Sequence, residues 1–210
     1  MELSGLQSRV HDRLQAKHDA RERALSASRR AIRSSAKAIR AIHRGEQEPA
    51  AALLEEAAEA IDAALAACAG QPQVQHAGFI FDAQKEYAEG RTTFALITDS
   101  PLPSPDDLRV DEAAYVNGLA ETVGELRRHL LDVLRAGDIQ RCEMLLGQMD
   151  EIYALLVTID FPDGVTAGLR RSTDVARSII ERTRGDLTTA QVQAQLREAL
   201  DAHRRDVLGE

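Results

Sequence analysis

Residues 6–44 read LQSRVHDRLQAKHDARERALSASRRAIRSSAKAIRAIHR, bracketed by Gly5 and Gly45, with neither Gly nor Pro between them. Without a breaker the segment predicts one very long helix. Leu25, Ile32 and Ile39 recur every seven residues, Val10 and Leu14 precede them and Ile42 follows, so a narrow apolar seam runs along it. That seam predicts burial against neighbouring helices.

Outward from this segment the punctuation is equally plain. Pro49 sits where a first helical turn tolerates it, and an Ala-rich helix runs to about Ala69, where Gly70 stops it. A third helix starts near Pro72 and continues to about Thr98, with Ala83, Tyr87, Phe94 and Ile97 on one side. The stretch DSPLPSPDD, from Asp99 to Asp107, is rich in proline and reads as a loop. From Val110 to Ala136, Leu119, Val123, Leu126, Leu130 and Val133 repeat with the helical period. Gly137 ends that helix and Asp138 is placed to cap the next, in which Cys142, Leu145, Met149, Ile152, Leu156 and Ile159 form an apolar stripe. Pro162 and Gly164 break it. A further helix reaches Arg184, Gly185 caps it, and Thr188 with Gln191 resembles a capping box opening a last helix to about Val207. No segment alternates with period two, so the prediction is all-α: one domain, residues 1–210, of about seven helices.

Composition agrees. The 210 residues are 44% hydrophobic, enough for a core, but only 3% aromatic with no Trp, which argues against sandwiches and barrels. With 34 acids and 26 bases the net charge is −8, so any polyanion must meet a local basic patch. Cys68 and Cys142 stand far apart with no paired spacing, which excludes a disulfide framework and a zinc signature. No signal-like or membrane-spanning apolar run is present, so a cytoplasmic protein without membrane contact is expected.

Such a basic patch exists. Arg30, Arg33, Lys37, Arg40 and Arg44 are spaced three or four apart on the first helix, with Arg23 one heptad earlier, and share one stripe. Between Arg21 and Arg44 there are eight bases and one acid. The stripe could follow a phosphate backbone. Equally, Glu55, Glu59 and Asp62 share a face of the next helix and could neutralise it through surface ion pairs.

Acids form a second pattern. Glu86 and Glu89 lie three apart on the third helix, Glu121 and Glu125 four apart on the fourth, each pair on one face. On facing helices the four carboxylates could converge on a hard divalent cation, with oxygen donors favouring Mg²⁺ or Mn²⁺ over zinc. In so acidic a chain, such pairs also arise on solvated faces. No HExxH, GxSxG, P-loop or GxGxxG is present.

These stretches resemble the translin family, and within it the translin-associated factor X branch. AKHDARERALSASRRAIRSSAKAIRAIHRG is similar to the family's long first helix, and QKEYAEGRTTFAL to that branch's EYxEA motif. GLAETVGELRR, running on to RAGDI, resembles its ADLTGEL…GDI stretch, and LRRSTDVARSIIERTRGDL its last helix. The resemblance covers about residues 16–187 and leaves 188–210 as a helical extension.

The resemblance implies a long antiparallel bundle of seven helices that assembles into a closed, hollow homo-oligomer of six to eight subunits. It implies a metal-dependent endoribonuclease of the X type, cutting single-stranded RNA with Mg²⁺ or Mn²⁺. Glu86 and Glu89 of EYAE, Glu121, and Glu125 of GEL match the X-type acids; Glu121 stands where the eukaryotic motif has Asp. Arg23, Arg30, Arg33, Lys37, Arg40 and Arg44 would hold the strand. Two other readings stay open: a translin-like binder of single-stranded RNA or DNA without catalysis, and a helical scaffold whose basic stripe its own acidic helix neutralises.

Overall fold

The computed structural model describes residues 3–208, and every regular element among them is helical. In chain order these are α1 (Leu3–His43), α2 (Gln47–Ala67), α3 (Pro72–Gln75), α4 (Gly78–Ile97), α5 (Pro105–Leu108), α6 (Glu112–Ala136), α7 (Ile139–Leu156), α8 (Asp163–Thr166) and α9 (Leu169–Leu208). The all-α expectation holds, and α1 is the unbroken helix its sequence demands.

Three boundaries differ from expectation, each for a local reason. The third helix divides into α3 and α4 because Ala77 adopts extended backbone (φ −75°, ψ 144°) just before Gly78. The proline-rich loop contains the start of α5: the Ser104 hydroxyl accepts from the Asp107 N–H, and the Asp107 carboxylate accepts from the Ser104 N–H in return. At the far end, Gly185 stops nothing and α9 runs straight through it. The Thr188 hydroxyl donates back to the Arg184 carbonyl (2.8 Å) and the Thr189 hydroxyl to Gly185 (2.9 Å), so both threonines serve a continuing helix instead of capping a new one.

The helices group into two compact units, Met1–Leu119 with Gly164–Ala167, and Ala120–Asp163 with Gly168–Glu210. In the first, α1 packs on α2 and α4, and α2 on α4. The buried face of α1 is built from small residues: Ala20, Ala24, Ala27, Ser28, Ala31, Ser34, Ser35 and Ala38, joined near its end by Ile39 and Ile42. The expected Leu25/Ile32/Ile39 seam is therefore only partly inside; Leu25 and Ile32 are half-buried, and Val10 and Leu14 are exposed. Small side chains let helices approach closely, and α2 answers with Ala50, Ala57, Ala60 and Ala64 around a fully buried Leu54.

In the second unit α7 packs on α9. Cys142, Leu145, Met149 and Leu156 are buried on α7, as the periodicity predicts, and Asp138 caps that helix by accepting from the Arg141 N–H at 2.9 Å. The Arg127 guanidinium donates to the Thr183 hydroxyl (2.9 Å) and to Asp186 (2.7 Å). Burial pushes both cysteine thiols above their ordinary range, so neither is a ready nucleophile. Leu145→Ala is expected to cost about 2–5 kcal/mol, seen as a lower urea midpoint at unchanged slope. Among the described residues, no helix is long and apolar enough to cross a membrane.

Candidate metal centre and nucleic-acid interface

Helix α4 is held firmly where its acids stand. Tyr87 is buried, with its phenol pushed up chiefly by desolvation, and the Arg91 guanidinium donates to Glu55 of α2 at 2.7 Å. Glu86 and Glu89 follow each other by one turn. Glu86 is half-buried, 3.9 Å from the Lys85 ammonium, and Glu89 is only 9% exposed.

Helix α6 opens on Asp111, whose carboxylate accepts from the Ala113 N–H (2.9 Å) and the Ala114 N–H (3.2 Å). The side-chain amide of Asn117 then donates to the Thr166 carbonyl at 2.8 Å. At Gly118 the backbone presses on α4: a Cβ added there would lie 2.6 Å from the Lys85 carbonyl oxygen. One turn further along α6 comes Glu121. Glu86, Glu89 and Glu121 each offer a carboxylate oxygen, and these oxygens lie within 4.8 Å of one another.

Three of the four predicted acids are thus brought together. Glu125, one turn beyond Glu121, stands outside the group, with a carboxylate oxygen 3.9 Å from the Arg128 guanidinium. Carboxylates this close repel one another when ionised, and one of them sits nearly inside the fold. A hard divalent cation relieves that repulsion, and an all-oxygen donor set without Cys or His suits Mg²⁺ or Mn²⁺. The donor chemistry fits the expected ion.

The basic stripe lies open. Arg23, Arg30, Arg33, Lys37 and Arg40 are exposed on α1, and Arg44 is exposed in the turn that follows it. Arg44 donates twice to Glu46, at 2.8 and 2.6 Å, and that hydrogen bonding holds the Glu46 carboxyl below its usual range. Two of the three α2 acids on the expected neutralising face are engaged elsewhere: Glu55 with Arg91 at 2.7 Å and Asp62 with Arg109 at 2.8 Å. Among the described residues, no ion pair neutralises Arg23, Arg30, Arg33, Lys37 or Arg40, contrary to the scaffold reading.

No family model matches the chain. Solved structures do. The chain is 36% identical to AfC3PO in its complex with duplex RNA, with a TM-score of 0.81 over 92% of this chain and 98% of that one. AfC3PO alone gives 35% identity and a TM-score of 0.79 over the same shares. The chain belongs to the translin family, on its X-type side. Apo-NeC3PO, 20% identical, shares the family's fold with a TM-score of 0.79 over 88% of this chain and 96% of that one. An uncharacterized protein of Methanocaldococcus jannaschii is 32% identical over 124 residues, 59% of this chain; the chain spans about half, 55%, of that curated relative's length.

Two residues at this family member's acidic centre escaped the sequence reading. Lys85 lies outside the basic stripe, and no spacing around it marks it. Gly118 stands inside a strongly amphipathic helix, and a glycine in a helix interior is itself the signal of a close approach.

Proposed function

We propose that this chain is a Mg²⁺- or Mn²⁺-dependent endoribonuclease that cleaves single-stranded RNA within a closed homo-oligomer of six to eight subunits. The grouping of Glu86, Glu89 and Glu121 supports it most, because these are three of the four acids that the resemblance matches to the X-type set. AfC3PO was solved with duplex RNA, which makes RNA the natural ligand class for a chain so similar to it.

Glu86, Glu89 and Glu121 would hold the cation, with Glu125 on the next turn of α6 as the fourth acid. A bound divalent ion supplies polarisation of the phosphodiester and acidifies water at neutral pH. The chain's own contribution is to fix those carboxylates on two helices and to hold the strand by its phosphates along α1. With 3% aromatics there are few platforms for base stacking, so sequence preference is low. Exposed Leu3, Leu6, Val10 and Leu14 on α1 offer apolar surface for another copy of the chain.

The test is incubation of the wild-type protein with end-labelled single-stranded and duplex RNA in Mg²⁺, Mn²⁺ or EDTA. Internal cleavage of the single strand is expected with either metal and none with EDTA. Tight binding without cleavage in both metals would make the protein a non-catalytic binder.

A further inference from the structure

Gly118 is a point of close approach between α6 and α4. A Cβ built there would meet the Lys85 carbonyl oxygen at 2.6 Å, the Glu89 backbone nitrogen at 2.9 Å and the Ala88 Cβ at 3.0 Å. The first two are backbone atoms and cannot rotate away, so any side chain at 118 pushes the helices apart by several tenths of an ångström. Gly90, on the same helix as Glu89, differs: its nearest neighbour is the tip of the Leu54 side chain at 2.9 Å, which can move. Glycine in a helix interior is otherwise disfavoured against alanine, so close approach is what this residue provides.

The place of that approach matters. One of the backbone atoms touched belongs to Glu89, and Glu121 follows Gly118 by one turn on the same face of α6. We infer that Gly118 is a positioning residue for the metal centre: it fixes the distance of α6 from α4 and thereby the separation of the carboxylates. This rests on the reading of those acids as metal ligands. The consequence is ion selectivity. Mg²⁺ demands oxygens at about 2.0–2.1 Å in near-ideal octahedral geometry, whereas Ca²⁺ accepts longer and looser coordination, roughly 2.3–2.6 Å. Spreading the helices therefore penalises Mg²⁺ more than Ca²⁺.

The experiment follows Mn²⁺ binding through loss of the free-ion EPR signal, with Mg²⁺ and Ca²⁺ as competitors. Wild type is compared with Gly118→Ala and with Gly147→Ala, a helical glycine with open space around it. Circular dichroism monitors the fold. Gly118→Ala is expected to lower Mn²⁺ affinity by about ten- to a hundredfold, the usual cost of disturbing groups that orient metal ligands. It should also shift competition from Mg²⁺ towards Ca²⁺, which a loss of stability alone would not do. Gly147→Ala should match wild type. If Gly118→Ala does not fold, Ala88→Ser adds one atom at the same crossing and should shift selectivity in the same direction, by less. Wild-type affinity and selectivity in the folded variants overturn the inference while leaving the metal reading intact. Absence of Mn²⁺ binding by wild type overturns both.

Discussion

Glu89→Gln is expected to lower Mg²⁺-dependent RNA cleavage by at least about a hundredfold, roughly 3 kcal/mol of lost transition-state stabilisation. The substitution keeps side-chain length and helix propensity while removing one charge from the group Glu86, Glu89 and Glu121. Glu89 is the most informative of the three because it is 9% exposed, so a cation it binds has little water to share. RNA affinity should stay or rise, since one fewer carboxylate repels the phosphates. Thermal stability in EDTA should also hold or rise, because close acids destabilise one another without their ion. Glu86→Gln should behave alike. Glu121→Asp should retain metal binding where Glu121→Gln does not, as it restores the residue of the X-type motif. The readout is cleavage of labelled single-stranded RNA beside filter binding and a melting curve. Equal cleavage by wild type and Glu89→Gln would falsify the catalytic assignment of these acids.

Much of the fold was legible because helices are local. The 3.6-residue period and the position of Gly and Pro depend on neighbours in sequence, and they located α1, α2, α6 and α7 closely. The misreadings lie where a local signal has two outcomes. Thr188 can accept a capping hydrogen bond or donate one back to Arg184, and only the path of the chain through Gly185 decides between them. The buried face of α1 departs from its apolar seam for a different reason. Leu25 and Ile32 have the larger side chains, but close packing against α2 and α4 selects Ala24, Ala27 and Ala31, which periodicity weighs lightly.

The site was legible in part for the same reason. Pairs such as Glu86/Glu89 and the whole basic stripe are visible within one helix, since spacing alone puts them on one face. Convergence of α4 acids with an α6 acid is a matter of tertiary contact, and sequence spacing is silent on it; the resemblance to the translin family supplied that step. Equally invisible were the engagements of Glu55 with Arg91 and Asp62 with Arg109, which draw two acids of α2 away from the stripe on α1.

Those engagements make the stripe testable by charge removal alone. Arg33, Lys37 and Arg40 are exposed, lie within two turns of α1, and have no acidic partner among the described residues. Replacing all three with Gln keeps helix propensity, and the buried face of Ala31, Ser34, Ser35 and Ala38 is untouched, so circular dichroism and the melting temperature should not change. Arg44 is left in place because Glu46 already holds it. If each cation neutralises one phosphate of a single strand, the slope of log K against log salt should become shallower by about 2, at about 0.7 per phosphate. The same relation gives the loss of affinity: about a hundredfold at 0.1 M salt, vanishing as salt approaches 1 M. That convergence at high salt separates phosphate contacts from misfolding, which would lower affinity at every salt concentration. It also separates the stripe from the acids, whose substitution lowers cleavage without lowering affinity. Binding isotherms across a salt series, wild type beside the triple variant, decide it. Parallel salt slopes would mean that α1 does not carry the RNA and that the strand is held by another surface.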